Sequence, residues 1–325
     1  MNVLVIGGSG LFGGKTVLHL LRDEEISHVV SLDISPPKEW LMASYHISGK
    51  FCFVPGDVSL IEDILNVMKK HSIDRVINLA FILPGAVEEN PRLSVKVNQL
   101  GMCNVFEAAR LMGINRVVYA SSEGVYGPQE EYGERDVTED DPLHPQSAYA
   151  IAKQLSEVLA AQYADNYEMD FTAIRPPIGY GHGGMRPNVI KWFSDIVSLP
   201  AVGLPFSVEV DGTSLHSLAS TDDVAALLRI LIKLPSSPHP AYNIGGPPTS
   251  LRTVASAVRR YLPDASIEFG EKSVQVESAR GGIPYRISMD MARGDFGFSC
   301  MPLEEAVLIH INDARAEAGL APLNG

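Results

Sequence analysis

The chain has 325 residues, 46% of them hydrophobic and 20% charged, which is enough apolar length for one large globular domain or two fused ones. Acidic residues outnumber basic ones 39 to 26, for a formal net charge of -13. That charge repels phosphate backbones and anionic lipid, so bulk nucleic-acid and membrane-surface binding are disfavoured.

Cys52, Cys103 and Cys300 are far apart and form no CxxC pair, and the histidines show no paired-ligand spacing. No disulfide framework and no metal are expected, and a reducing cytoplasm fits best. The opening run from Met1 into Gly7 lacks a basic start and a cleavage site, and no stretch approaches the roughly 20 apolar residues of a membrane span.

In chain order, short β-branched runs at 3–6, 29–32, 51–54, 75–79, 116–120 and 171–174 alternate with helical patterns at 12–22, 61–71, 93–112 and 148–166. Parallel strands joined by crossover helices read this way, and most of the runs are apolar on both faces. The expected fold is α/β, a doubly wound parallel sheet of Rossmann type. After Arg175 the texture loosens into a loop-rich stretch where a smaller α/β unit begins. A helix at 222–234 and a strand at 241–244 return to the first sheet in this reading, and further helices follow at 251–261 and 303–318. The expected division is a nucleotide-binding domain at 1–175 with about 217–246, and a substrate-binding domain at 176–216 and 247–325.

Between the first strand and first helix lies Gly7-Gly8-Ser9-Gly10-Leu11-Phe12-Gly13. A dinucleotide fingerprint needs this context: Gly7 for the tight turn, Gly10 for approach of the pyrophosphate, Gly13 for close packing of helix on strand. The helix start then offers free amides and partial positive charge to the diphosphate. A plain strand-to-helix turn explains the glycines alone equally well. Asp33, about 20 residues on at the end of the second strand, adds a carboxylate for the adenosine ribose, unless it is only a turn residue before Ser35-Pro36-Pro37. An acid there repels the extra phosphate of NADP, so NAD is the expected cofactor. Asp57 after the third strand is either a contact at the adenine end or a structural turn aspartate.

Tyr149 and Lys153 are four positions apart in a predicted helix and so share a face. Tyrosine is too weakly acidic, with a pKa near ~10, to act as a base at neutral pH, and a nearby ammonium stabilises the phenolate. Many amphipathic helices carry such a pair for packing alone. Ser121 and Ser122 stand at the end of the fifth strand, where ligands of doubly wound sheets bind, and either orient a reacting oxygen or cap the strand.

The glycine loop, Asp33, Ser121-Ser122-x-x-Val125-Tyr126-Gly127, Tyr149-x-x-x-Lys153 and Arg175-Pro176-Pro177, in that order, resemble the extended short-chain dehydrogenase/reductase superfamily, its NAD-dependent epimerase/dehydratase group. The likeness covers nearly the whole chain, with Val97-Asn98-x-x-Gly101, Asp223-Val224-Ala225 and Tyr242-Asn243-Ile244-Gly245 adding to it. By this resemblance Ser122, Tyr149 and Lys153 are a catalytic triad. Gly7, Gly10, Leu11, Phe12, Gly13, Asp33, Asp57, Val58, Leu79, Ala80, Asn98, Tyr149, Lys153 and the backbone near Pro176 hold NAD. The resemblance also implies a homodimer packed through the helices around 98–112 and 148–166.

The chain departs from the group in ways that bear on substrate. Dehydratases carry an Asp-Glu pair after the catalytic hydroxyl, and here the positions are Glu123 and Gly124, so dehydration is a poor fit. Glu123 is then a substrate contact or a solvated turn residue. Nucleotide-sugar epimerases usually have an asparagine where Ile178 stands and an arginine near His216, although Arg280 resembles a second phosphate-binding arginine. In the loop at 180–186, His182 and Arg186 either line the substrate pocket or belong to a solvated connector. The first reading is an NAD-dependent dehydrogenase or reductase acting on a small, non-nucleotide alcohol or carbonyl such as a sugar or sugar acid. A UDP-sugar 4-epimerase is the second, and a non-catalytic NAD-binding scaffold the third.

Overall fold

The structure, a computed structural model, describes residues 1–183, 188–272 and 282–324. Its first half alternates β1 (Asn2–Ile6), α1 (Leu11–Leu21), β2 (His28–Asp33), α2 (Glu39–His46), β3 (Phe51–Pro55), α3 (Ile61–Lys70) and β4 (Arg75–Asn78). The short helices α4 (Ala86–Glu89) and α5 (Pro91–Ser94) then run through a π-helical turn, Val95–Leu100, into α6 (Gly101–Leu111). Next come β5 (Arg116–Ala120), a 3-10 turn at Glu123–Val125, α7 (Ala148–Tyr167) and β6 (Asp170–Arg175). The remainder holds β7 (Ile178–Tyr180), α8 (Asn188–Ala201), β8 (Phe206–Val210), β9 (Leu218–Ser220), α9 (Thr221–Lys233) and β10 (Ala241–Asn243). It ends with α10 (Leu251–Tyr261), β11 (Ile267–Lys272), α11 (Asp290–Phe296) and α12 (Leu303–Glu317).

Seven parallel strands form one sheet in the order β10-β6-β5-β4-β1-β2-β3. The chain winds outward from β1 in both directions, so the loops after β1 and β4 part and leave a crevice at the carboxyl edge. Both faces of the sheet are apolar because both are covered. Val3, Val5, Val29 and Ile77 pack with residues of α1 and α9 on one side, whereas Leu4, Ile6, Val30 and Val76 pack with α3 and α6 on the other. The strand expected at 241–244 does return to the first sheet, in register with β6 through Tyr242 and Ile174.

A second apolar cluster gathers Phe193, Ile196, Val254, Val258, Val307 and Ile311 from α8, α10 and α12. Two small parallel sheets, β7 with β9 and β8 with β11, join this layer. A buried lysine ties it to the nucleotide-binding side: Lys15 on α1 reaches Asp222 on α9 at 3.0 Å and Asp313 on α12 at 2.6 Å. Among the described residues no helix is long and apolar enough to cross a membrane.

Candidate active site

The glycine cradle is built by close approach. Gly7 has φ +78, and a Cβ there would sit 2.6 Å from the Ala80 amide nitrogen, so β1 and β4 end too close together for a side chain. At Gly13 a Cβ would fall 2.1 Å from the Gly7 carbonyl oxygen. Helix α1 therefore starts directly over the turn, with Gly10 as its N-cap and no side chain capping it. The amides of Leu11, Phe12 and Gly13 have no acceptor within their own helix and face this edge of the sheet. The Phe12 ring lies against Gly179 of β7.

Asp33 ends β2 beside this loop, accepting from the Ser9 amide at 3.0 Å and from the Ser35 amide at 3.4 Å. Asp57 caps its own turn, accepting from the Ser59 amide at 2.9 Å and hydroxyl at 2.7 Å, with Lys96 at 3.8 Å. Burial raises its pKa, but the Ser59 hydrogen bonds and the Lys96 charge hold it below the usual carboxylate value. Val58 packs on Gly101 of α6. The Leu79 amide donates to Ile6 O, continuing the β1–β4 pairing to the crevice. Asn98, in the π-helical turn, spends its amide on both backbone groups of Ile82, at 2.7 and 3.1 Å, and so holds the loop after β4.

An uncapped helix start, a floor that admits no side chain and a carboxylate at the end of β2 together fit a dinucleotide diphosphate and its adenosine ribose.

Across the crevice, Ser122 follows β5, and its hydroxyl accepts from the Gly124 amide at 3.1 Å. The Glu123 amide donates to Pro176 O at 3.0 Å, fixing the ends of β5 and β6 to each other. Tyr149 stands in the first turn of α7, whose N-cap Ser147 accepts from the Ala150 amide. Burial pushes the Tyr149 phenol up to about 12, and the adjoining Ser122 hydroxyl works against that shift. One turn on, Lys153 Nζ donates to Ala120 O at 2.6 Å and lies 3.5 Å from the Phe81 ring centre. Burial lowers this ammonium to about 7, opposed by the charge of Glu157. The Phe81 ring also meets Tyr149 edge to face, with centroids 5.5 Å apart.

The structure thus brings Ser122, Tyr149 and Lys153 to one place at the sheet's carboxyl edge. It adds Phe81 and Glu157, which the sequence reading passed over. Glu157 continues the spacing of four from Tyr149 through Lys153, a signal that was available. Phe81 follows Ala80 in a loop and carried none.

His182 lies elsewhere: its ring nitrogens meet Ser198 at 3.1 Å and Glu317 at 2.5 Å, against α8 and α12. Glu123 is not a solvated turn residue, being only 2% exposed. Arg186 and Arg280 fall outside the described residues.

The architecture and the crevice define a Rossmann-type nucleotide-binding protein. Residues 3–245 match the NAD dependent epimerase/dehydratase family, and the chain belongs to it, with NAD as the family's cofactor. It is 30% identical to the UDP-glucose 4-epimerase of Mycolicibacterium smegmatis, over 79% of this chain and 82% of that protein. The mitochondrial L-threonine 3-dehydrogenase of Sus scrofa is 24% identical over 99% of this chain and 85% of its own. The structure of Thermus thermophilus UDP-glucose 4-epimerase in complex with NAD superimposes with a TM-score of 0.79, at 23% identity, covering 97% of this chain and 99% of that one.

Proposed function

We propose that this chain is an NAD-dependent dehydrogenase or reductase acting on a secondary alcohol or carbonyl of a small, non-nucleotide substrate. The observation that supports the reading is the gathering of Ser122, Tyr149 and the buried Lys153 at the carboxyl edge of the sheet that also carries the uncapped glycine cradle. Residues 1–175 with about 217–246 are the NAD-binding part, and 176–216 with 247–325 bound the substrate.

Bound NAD supplies the hydride acceptor. The Ser122 hydroxyl would hold the substrate oxygen; Tyr149, ionised with the help of the Lys153 ammonium, would accept the alcohol proton at Oη as hydride leaves the carbon, and the neutral phenol would return that proton when a carbonyl is reduced. Gly7, Gly10, Leu11, Phe12 and Gly13 hold the diphosphate, and Asp33 holds the adenosine ribose. Asp57 and Val58 border the adenine, Leu79, Ala80 and Pro176 line the crevice, and Lys153 also reaches the second ribose. Asn98 serves this site through the Ile82 loop.

Two residues argue against a nucleotide diphosphate in the substrate pocket. Ile178 is an apolar side chain, 5% exposed, with no donor to offer. Burial lowers His216 to about 4, so its ring is neutral where an arginine would carry charge. A diphosphate needs several charged donors, and these positions supply none.

The likeness to the M. smegmatis enzyme favours a second reading, a UDP-sugar 4-epimerase. Incubating the protein with NAD and a panel of polyols, sugar acids, hydroxy amino acids and UDP-sugars separates them. Net NADH from a free small alcohol supports the first reading. Interconversion of UDP-sugar epimers without net NADH replaces it with the second.

A further inference from the structure

Phe81 lies in the loop between β4 and α4, and both of its chain neighbours are clamped. The Asn78 side chain accepts from the Ala80 amide at 3.2 Å, and the Asn98 side chain holds both backbone groups of Ile82. Asn78 and Asn98 are themselves buried. Two interior asparagines thus set the backbone on either side of one phenylalanine, whose half-buried ring rests against the apolar cluster shared by β4, β5 and α6.

The ring covers Lys153. Its centre is 3.5 Å from Nζ, and its plane meets the Tyr149 ring at 86°, with centroids 5.5 Å apart. Lys153 is 3% exposed and donates to Ala120 O, and among the described residues no carboxylate pairs with it directly. Burial disfavours the ammonium, and Glu157 on the same helix is the charge that supports it. That carboxylate is itself gripped by Arg175 of β6. From the β5 side, burial pushes Glu123 toward its protonated form and keeps the Tyr119 and Tyr126 phenols neutral, as it does Tyr149. An aromatic face is negative at its centre and attracts a cation, most strongly where water is excluded. The Phe81 face therefore stands where a buried ammonium would otherwise need a carboxylate.

We propose that Phe81 is the positioning residue of the proton-transfer pair: its ring face holds the Lys153 ammonium charged and in place, and its contact with Tyr149 fixes the phenol beside it. A charged lysine matters because it stabilises the Tyr149 phenolate, and that consequence rests on the oxidoreductase reading. The contact between ring and ammonium does not depend on any reaction.

Lys153 can be read directly, in the full ligand-free chain carrying carbon-13 at the lysine ε positions and titrated by NMR, with its resonance identified by loss in Lys153→Arg. Phe81→Leu keeps an apolar side chain and removes the face, and the Lys153 titration is expected to move to lower pH by roughly one unit. Phe81→Tyr keeps the face and should leave the titration near that of wild type. If Phe81→Leu fails to fold, a series of increasingly fluorinated phenylalanines at position 81 keeps the shape while draining the ring face. The titration should then fall stepwise along the series, a response that a packing role alone would not give. In a working enzyme the lysine limb of the kcat/KM profile should shift with Phe81→Leu and return with Phe81→Tyr.

A Lys153 titration that is unmoved or raised in Phe81→Leu, that moves as far in Phe81→Tyr, or that stays flat along the fluorinated series overturns the proposal. The oxidoreductase reading is scored separately. A protein that oxidises no small alcohol while Lys153 still answers to the ring removes that reading and leaves the contact standing. A working dehydrogenase whose Lys153 ignores the ring does the reverse.

Discussion

Lys153 occupies surroundings that work against its own charge. Burial brings it to about 7, so on the ligand-free protein the ammonium is half lost near neutral pH and is present only below that. The opposing influence is Glu157, one helical turn further on, which Arg175 grips through two hydrogen bonds of 3.0 and 2.7 Å. Glu157→Gln removes the supporting negative charge and leaves the Arg175 charge unmatched, and both changes disfavour a protonated Lys153. The limb of the kcat/KM profile set by Lys153 should therefore move to lower pH by roughly one unit. A purely structural loss would scale the whole profile and leave that limb in place, and an unmoved limb is the contrary result. Tyr149, Lys153 and Ser122 were legible because their chemistry is written in residue type and spacing. The place of Phe81 and the burial of Glu123 were not, because they depend on what the fold wraps around them.

Among the elements, the β1–α1 junction is the most tightly specified. With a Cβ at Gly13 only 2.1 Å from Gly7 O, Gly13→Ala must push the helix off the strand. The expected cost is about 1–3 kcal/mol, seen as a lowered Tm, together with at least tenfold weaker NAD binding by calorimetry. Unchanged NAD affinity would remove the cradle from the cofactor site. This junction was readable because the glycines, the strand before them and the helix after them carry separate signals that agree. The helix expected at 93–112 begins at Pro91 and contains the π-helical turn Val95–Leu100, an irregularity that apolar spacing does not reveal. Helices α2 and α8 and the strand pairs β7 with β9 and β8 with β11 were also missed. Strands of three residues such as β7 and β9 are too short to show a period, and α2 follows directly on the turn signal of Ser35-Pro36-Pro37.

At the scale of the molecule, the face of α7 turned away from the active site is apolar and uncovered. Ile151, Leu155 and Val158 are 54%, 40% and 49% exposed and lie on one stripe, and Leu100 and Leu111 add to the neighbouring surface. We propose that a second copy covers this face, so that Ile151 and Leu155 are clamped on either side of Lys153 in sequence and the dimer steadies the catalytic helix. Sedimentation should give a dimer at micromolar concentration, and Ile151→Glu with Leu155→Glu should give a monomer with reduced kcat. A monomeric wild type contradicts this. The parallel sheet, its return strand β10 and helices α10 and α12 were foreseeable from the sequence patterns, whereas the packing of the C-terminal layer had to be seen, since its strands are short and its helices are held by pairings as distant as Lys15 with Asp313.

In the proposed reaction Tyr149 moves the proton while NAD takes the hydride. This division of roles is tested most directly by comparing wild type and Tyr149→Phe with NAD and the best small alcohol of the substrate panel, measuring NADH formation in a single turnover and NAD affinity on the same samples. The variant's rate is expected to be lower by roughly 10²–10⁴-fold, with NAD affinity within about threefold of wild type. A variant that forms NADH within about tenfold of the wild-type rate would contradict that division of roles.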